Sequence, residues 1–311
     1  MQTHLKYIFT YVLKRFNSIL SSLENIFCPR RPIKYPGVYI VGAPRSGTTL
    51  LYQYMAAYFD IAYPTNFHTK LYGSMFLSEH FSKLLMRGSQ ATFESDHGKV
   101  RGITSPSEFA PFWYQYFPKG GMILNNKEWE VCRTKLSSQL RVMKMINKRP
   151  LLFKNVYNSL RITQLEAADD NSVFIVIRRE LKNNIRSILR GRKRKSGGYQ
   201  QWRSVMPPSL RFNVPESPVE QALEQICGVY EEIELADKFT NSLFINVTYE
   251  DLCRNPQLVM DNIYTQINKN VGTINKRTMK SKLPREFSIS QSPLPNDLEQ
   301  ELSFLIDNNP K

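Results

Sequence analysis

Residues 38–51 decide the fold and read Val-Tyr-Ile-Val-Gly-Ala-Pro-Arg-Ser-Gly-Thr-Thr-Leu-Leu. The apolar run at their start predicts a buried strand over 38–42, and the pattern that follows predicts a helix over 48–58. Gly42 and Gly47 bracket the turn between them. In a strand–turn–helix unit of this kind, backbone N–H groups and the positive end of the helix dipole face an anion. The stretch therefore predicts a phosphate-binding loop.

The loop departs at one position from the loop of nucleoside triphosphatases. Its glycines keep the spacing G-x-x-x-x-G, but Thr48 stands where those enzymes carry lysine. The absent lysine argues against a β/γ-phosphate site served by that residue. The positive side chain lies inside the loop instead, at Arg45.

The pattern G-x-P-R-S-G-T-T resembles the 5′-phosphosulfate loop of sulfotransferases that use 3′-phosphoadenosine 5′-phosphosulfate (PAPS). The resemblance implies that PAPS is the co-substrate and that no metal is required. The donor-binding positions that it implies in the loop are Pro44, Arg45, Ser46, Gly47, Thr48 and Thr49. Over the whole chain the resemblance covers about residues 37–60 and 150–260.

Length and charge bound the class of protein. The chain has 311 residues, enough for a full hydrophobic core, and a net charge of +15. Such a charge fits an anionic cofactor or acceptor, nucleic acid or an acidic membrane surface. We expect no nucleic-acid partner. The four cysteines are scattered without metal-binding spacing, which predicts unpaired thiols in a reducing compartment and a cytoplasmic protein.

Residues 1–36 are predicted to form an amphipathic helix and a linker rich in proline and basic residues. The apolar positions that recur at helical spacing are Leu5, Ile8, Phe9, Val12, Leu13, Phe16, Ile19, Leu20, Leu23, Ile26 and Phe27. Basic side chains interrupt this run before it is long enough to span a bilayer. The apolar face can pack on the protein's own core, contact a second copy, or make a peripheral membrane contact through residues 3–27.

Residues 37–311 are predicted to form one α/β domain, a doubly wound parallel sheet of P-loop type with flanking helices. Within it, residues 60–150 are interpreted as a helical insertion on the acceptor side. Further predicted strands are 151–154, 172–177 and 243–247, and further predicted helices are 158–168, 181–191 and 217–237. Residues 191–218 are predicted to form a loop, and the chain from about residue 280 to be partly extended. Ligands of such a sheet bind at the carboxyl ends of its strands.

A second anion site is indicated after the strand at 172–177. Sulfotransferases have the pattern R-D-P-R-D there, with a serine eight residues after the first arginine. Arg179 and Ser187 match that spacing, so the resemblance implies that they bind the 3′-phosphate of PAPS. Glu180 and Leu181 depart from the pattern, and Arg178 competes with Arg179 for the role.

Two further segments have alternative interpretations. The basic run 190–195 is either part of a loop that closes over the 3′-phosphate or a solvated basic tract. The segment 249–252, Tyr-Glu-Asp-Leu, resembles one that follows a late strand in the family, and we interpret it as structural.

Lys154 ends the strand at 151–154 and resembles the family's strand-end lysine, which reaches toward the transferring sulfuryl group. No histidine follows it, although some family members use one there as the general base. Glu108 is the candidate base, because residues 105–113 resemble the S-P-x-E-F-x-x-F-W stretch of a bacterial group of sulfotransferases. The alternative is a capping box that pairs Ser105 with Glu108 at a helix start. His97 is the reserve base.

The sequence thus predicts an enzyme that moves a sulfuryl group from PAPS to a hydroxyl and releases adenosine 3′,5′-bisphosphate. The charge and the amphipathic N-terminus favour a glycan or lipid-linked saccharide as acceptor. Aromatic residues around 52–76 and 112–117 line its pocket or belong to the core. The alternatives are a P-loop kinase of a small hydroxyl compound, which lacks its lysine here, and a non-catalytic basic protein that binds acidic polysaccharide.

Overall fold

The computed structural model describes residues 2–29, 33–85, 102–118, 125–169, 171–272, 274–278, 283–289 and 293–308. The strands in this part of the chain are β1 (Gly37–Val41), β2 (Leu151–Lys154), β3 (Ser172–Arg178) and β4 (Leu243–Thr248). The helices are α1 (Gln2–Leu23), α2 (Thr48–Tyr58), α3 (Met75–Leu85), α4 (Ala110–Trp113), α5 (Asn126–Asn147), α6 (Ile162–Ala168), α7 (Leu181–Ser196), α8 (Pro218–Phe239), α9 (Tyr249–Arg254), α10 (Pro256–Asn270) and α11 (Asn296–Asn308). Short 3-10 helices cover Glu24–Phe27, Val156–Leu160 and Pro208–Leu210.

The strands form a parallel sheet in the order β2-β1-β3-β4. In its register, Ile40 of β1 lies between Lys154 of β2 and Ile175 of β3. The chain moves from β1 to one side to form β2 and crosses back to form β3 on the other side. The strand order therefore reverses between β1 and β3, and a doubly wound sheet binds its ligand at the carboxyl ends of the strands beside that point. The predicted fold class is confirmed.

Alternate residues of the central strands supply two cores. Val38 and Ile40 pack with α2 and α10 on one face, and Tyr39 and Val41 pack with α5 and α8 on the other. Strands covered on both faces need apolar side chains at every position, and β1 is buried throughout. This explains why the sequence shows continuous apolar runs rather than alternation.

The predicted loop at 191–218 is wrong at its start, because α7 continues to Ser196. Gly191 lies inside the helix, where an added Cβ would meet no atom within 4 Å. The helix ends at Gly197, which has a left-handed backbone (φ +76°) and whose N–H donates to Lys193 O. A glycine in this conformation is a common helix end.

From about residue 280 the described chain is non-helical up to residue 295, as predicted, and it then forms a helix that the sequence did not predict, α11 over Asn296–Asn308. Leu298 and Leu302 are buried on one side of it, at the spacing of one helical turn. Arg186 of α7 holds the helix through Glu299, with NH2 at 2.7 Å from Oε2. The predicted helix at 158–168 is split into the 3-10 helix Val156–Leu160 and α6.

The N-terminal helix α1 docks through buried polar side chains together with Leu20. Asn17 Nδ2 donates to Lys70 O at 2.9 Å, and Asn17 Oδ1 accepts from Gly73 N at 2.7 Å. Glu24 accepts from Ser74 Oγ at 2.6 Å. The helix thus docks on the rest of the protein, as one of the three alternatives had it. Its apolar stripe divides, however, because Leu20 is buried while Val12, Phe16 and Ile19 stay exposed.

None of the described helices combines the length and apolar character that crossing a bilayer requires. No disulfide links the four cysteines, all of which lie among the described residues.

A buried polar network braces the start of the sheet. Lys144 Nζ bonds Asp169 Oδ1, and Tyr39 OH donates to Asp169 Oδ2 at 2.9 Å. Both members of the ion pair are nearly inaccessible. Burial, followed by the charge of Asp169, raises the pKa of Tyr39 well above its ordinary value.

Asp169→Ala leaves the Lys144 ammonium buried without its counter-ion, so we expect the free energy of unfolding to fall by about 3–5 kcal/mol. Urea denaturation measures this. Glu130→Ala removes the exposed pair with Arg133 and is the matched control, with an expected loss under about 1 kcal/mol. Similar losses in both variants would contradict the role given to the network.

Candidate active site

The predicted phosphate-binding loop joins β1 to α2 with the chemistry of an anion site. Gly47 has φ +98° and is the cap residue of α2. As a glycine it has no side chain that could bond the N–H groups of the first helical turn. A Cβ on Gly47 would lie 2.4 Å from the Tyr249 ring, so only glycine fits there. Backbone N–H groups at an open helix start can bind an anion.

Three elements hold the loop backbone in place. Ser159 Oγ accepts from Gly42 N at 3.0 Å and donates to Gly42 O at 3.1 Å. Asn184 of α7 donates to Pro44 O at 2.7 Å, and Arg179 NH1 donates to Arg45 O at 3.2 Å. Sequence reasoning missed the roles of Ser159 and Asn184. The available signal was that both follow strand ends at the carboxyl edge of the sheet.

Arg45, Arg179 and Ser187 come together as predicted for a site at the ends of β1 and β3. Arg45 has a left-handed backbone (φ +65°), and its Nε donates to Ser187 Oγ at 3.2 Å. The sequence assigns Arg45 to the sulfuryl end and Ser187 to the 3′-phosphate, and the structure brings these two side chains into contact.

The two adjacent arginines after β3 have different environments. Arg178 NH2 lies 2.7 Å from Glu234 Oε1, and its guanidinium stacks on the Tyr230 ring at 4.3 Å. Arg179 stacks on the Tyr249 ring at 4.3 Å and reaches the loop. Of the two, Arg179 is the one beside the phosphate-binding loop. Tyr249 packs on both Gly47 and Arg179, so the segment interpreted as structural also forms part of the site.

The basic run 190–195 divides between two sides of α7. Burial lowers the pKa of Arg45, and the charges of Arg194, Arg179 and Arg190 lower it further. Arg192 instead lies buried, with NH1 at 2.8 Å from Gln221 Oε1. The run is therefore neither a closing loop nor wholly a solvated tract.

The charges of three arginines thus act on Arg45, whose side chain is accessible to solvent at the loop. A bound polyanion would relieve this repulsion, whereas a neutral ligand would not. The residues present fit a ligand with two anionic groups.

Glu108 and Lys154 form an ion pair at the carboxyl end of β2. Lys154 Nζ bonds Glu108 Oε1, and Asn155 Nδ2 donates to the Glu108 carbonyl at 3.1 Å. The lysine side chain is 5% exposed and the glutamate side chain 35% exposed. A carboxylate with this exposure can contact a ligand at the carboxyl edge of the sheet. Its position is fixed by Lys154 at the side chain and by Asn155 at the backbone.

The capping-box alternative for Glu108 is wrong. Helix α4 begins at Ala110, and its cap residue is Phe109, which has a left-handed backbone (φ +55°). Glu108 therefore lies before the helix, and its carboxylate points to Lys154. The reserve base His97 lies outside the described residues.

Most aromatic residues at 52–76 and 112–117 for which burial is given belong to the core, as one of the two interpretations had it. Phe109, Phe112 and Trp113 are fully buried beneath Glu108. Tyr157 is partly exposed; burial and the charges of Tyr114 and Glu108 raise its pKa, and Arg161 opposes them. The partly exposed ring of Tyr157 is thus close enough to Glu108 for the carboxylate charge to affect its pKa.

The sequence matches the model of the sulfotransferase family over residues 36–270. Comparison with curated protein sequences finds no match. Among solved structures, sulfotransferase STF1 from Mycobacterium tuberculosis H37Rv aligns over 91% of this chain and 75% of its own, with 12% identity and a TM-score of 0.50. The sulfotransferase domain of the curacin biosynthetic pathway aligns over 88% of this chain and 98% of its own, with 16% identity and a TM-score of 0.43.

A third similar structure is the sulfotransferase domain of the Synechococcus PCC 7002 olefin synthase, which aligns over 77% of this chain and 75% of its own, with 17% identity and a TM-score of 0.41. The family match covers the phosphate-binding loop, the Glu108–Lys154 pair and the arginines after β3. It favours the predicted sulfotransferase over the kinase and the non-catalytic binder. The chain belongs to the sulfotransferase family.

Proposed function

We propose that this sulfotransferase takes its sulfuryl group from PAPS, transfers it to a hydroxyl of a saccharide or lipid-linked saccharide, and releases adenosine 3′,5′-bisphosphate. The observation that carries the donor assignment is the group of Arg45, Arg179 and Ser187 at the open start of α2. Arg45 Nε donates to Ser187 Oγ at 3.2 Å, and Arg179 donates to Arg45 O at 3.2 Å. A nucleotide with anionic groups at both its 3′ and 5′ positions matches that charge. Bound PAPS supplies a sulfuryl group on a phosphate leaving group.

The donor would be held at two places. Residues 47–49 would offer backbone N–H groups, and Arg45 its guanidinium, to the 5′-phosphosulfate. Arg179 and Ser187 offer a guanidinium and a hydroxyl to the 3′-phosphate. Tyr249 supports Arg179 from the side away from the ligand, because its ring packs on both Arg179 and the loop.

Lys154 and Arg45 would stabilise the negative charge that grows on the leaving oxygen in the transition state. Arg45 lies in the loop that follows β1, and Lys154 is the last residue of β2. Because these two strands are paired in parallel, both residues lie at the same edge of the sheet. Cations held in place before the reaction lower the barrier without having to reorganise, and this is often the largest single contribution to catalysis.

Glu108 would act as the general base that accepts the proton of the attacking hydroxyl. The pair with Lys154 links this role to donor binding. A donor anion beside Lys154 competes with the carboxylate for the ammonium group, and Glu108 then becomes available to the acceptor. General-base catalysis by a positioned carboxylate contributes about 10²–10⁴-fold to the rate.

The acceptor would lie on the side of Glu108 away from the loop, beside the partly exposed ring of Tyr157. Aromatic rings and a few convergent polar groups suit a small organic ligand of mixed polarity, such as a saccharide. With no disulfide among its four cysteines, the protein is suited to a reducing compartment, and we place the reaction in the cytoplasm.

Arg179→Ala is expected to weaken binding of adenosine 3′,5′-bisphosphate about 10- to 100-fold, because it removes a charge-assisted contact to the 3′-phosphate. Isothermal titration calorimetry measures the affinity. Arg178→Ala is the matched control, since that side chain pairs with Glu234, and its affinity should stay within about twofold of wild type. If Arg178→Ala lost the affinity and Arg179→Ala kept it, the 3′-phosphate would be assigned to Arg178.

Glu108→Gln is expected to keep donor binding and to lower turnover by about 10²–10⁴-fold, because the amide cannot take the acceptor's proton. Affinity is measured with adenosine 3′,5′-bisphosphate and turnover with PAPS and a panel of saccharide acceptors. Weakened nucleotide binding together with normal turnover would contradict the role of base.

A further inference from the structure

The outward side of the N-terminal helix is apolar. Val12, Phe16 and Ile19 of α1 are 58%, 47% and 63% exposed, and Ile26 in the following 3-10 helix is 75% exposed. We call these four residues the N-terminal apolar face. Single exposed apolar residues are ordinary on protein surfaces, but three on one face of a helix are a sign of an interaction site.

This face cannot turn inward without breaking the docking of α1. The opposite side is held by Asn17, which bonds both Lys70 and Gly73, and by Glu24, which bonds Ser74 Oγ and Phe76 N. The exposure is thus a consequence of specific hydrogen bonds rather than of a loosely attached helix.

A second helix adds apolar surface on this side of the protein. Helix α3 packs against the 3-10 helix, where the rings of Phe27 and Phe76 stack at a centroid distance of 4.1 Å. Phe81 and Leu84 of α3 are themselves exposed.

The charge of the segment selects the kind of partner. Residues 1–23 contain Lys6, Lys14 and Arg15 and no aspartate or glutamate. The Lys14 and Arg15 side chains are exposed. Arg15 follows Val12 by three residues and precedes Ile19 by four, so it borders the apolar face. The first acidic residue, Glu24, is buried and engaged in hydrogen bonds.

We propose that the N-terminal apolar face binds the surface of a membrane that contains anionic lipids, with α1 lying in the interface. An apolar face bordered by basic residues is the pattern of helices that insert partway into a bilayer, where anionic headgroups attract the basic side chains. A second copy of this chain is a poorer occupant, because it would bring the same basic side chains together. The contact is independent of the proposed donor site, and it would bring that site close to a lipid-linked acceptor.

The test is co-sedimentation of the full chain with vesicles of phosphatidylcholine, either alone or mixed with phosphatidylglycerol. We expect binding to the mixed vesicles only, weakened by salt. Lys14→Gln combined with Arg15→Gln should weaken it about 25-fold, because each basic residue near an anionic surface contributes roughly a fivefold factor.

Phe16→Ser combined with Ile19→Ser should weaken vesicle binding about tenfold or more, since the two side chains no longer insert. The matched control is Phe239→Ser combined with Leu258→Ser, at side chains 75% and 64% exposed on α8 and α10, which should bind as wild type does. Thermal unfolding of each variant verifies that the fold is kept, because all four side chains are exposed.

Failure of the wild-type chain to bind mixed vesicles would overturn the proposal, as would equal binding to phosphatidylcholine alone or an equal loss in the control variant. Sedimentation velocity supplies a further criterion. A wild-type dimer that the Phe16/Ile19 variant converts to monomer would assign the face to a second copy. None of these outcomes depends on the identity of the sulfuryl donor.

Discussion

The site depends on positive charge that the fold holds together at the carboxyl edge of the sheet. Arg45 is repelled by three other arginines, and burial adds to the cost, so its pKa is lowered. If these arginine side chains were free to move, their repulsion would drive them apart. Here the backbone carbonyl of Arg45 accepts from Arg179, and Arg179 in turn stacks on Tyr249. The hydrophobic cores on both faces of β1 supply the stability that offsets this arrangement.

This constraint explains several features that otherwise look unrelated. The loop backbone is held by Ser159 and Asn184 because a loop under electrostatic repulsion needs support from outside itself. Gly47 has no side chain because Tyr249, which supports Arg179, occupies that space. Lys154 lies one strand away and is paired with Glu108, which offsets its charge.

The sequence predicted the parts of the molecule that local pattern determines. The strand–loop–helix unit at 38–58, the α/β fold and the neighbourhood of Arg45, Arg179 and Ser187 followed from apolar runs, glycine spacing and a motif. It did not predict what tertiary contacts decide. Gly191 resembled a helix end but lies inside α7. The apolar stripe of α1 suggested one continuous inward face, but docking through Asn17 and Glu24 buries only Leu20 and leaves Val12, Phe16 and Ile19 exposed. The Glu108–Lys154 pair joins residues 46 positions apart, which no local pattern reveals.

The measurement that tests the central claim most directly is the shift in melting temperature of the full chain with adenosine 3′,5′-bisphosphate, beside adenosine 5′-monophosphate and ATP with Mg²⁺. At a ligand concentration of 100 times Kd, linkage gives about 2.7 kcal/mol of stabilisation, or roughly 4 °C for a chain of this size. The arginine cluster predicts that the bisphosphate produces this shift and that the nucleotides lacking a 3′-phosphate produce much smaller ones. No shift with the bisphosphate, or an equal shift with the monophosphate, would contradict a site built for two separate anionic groups.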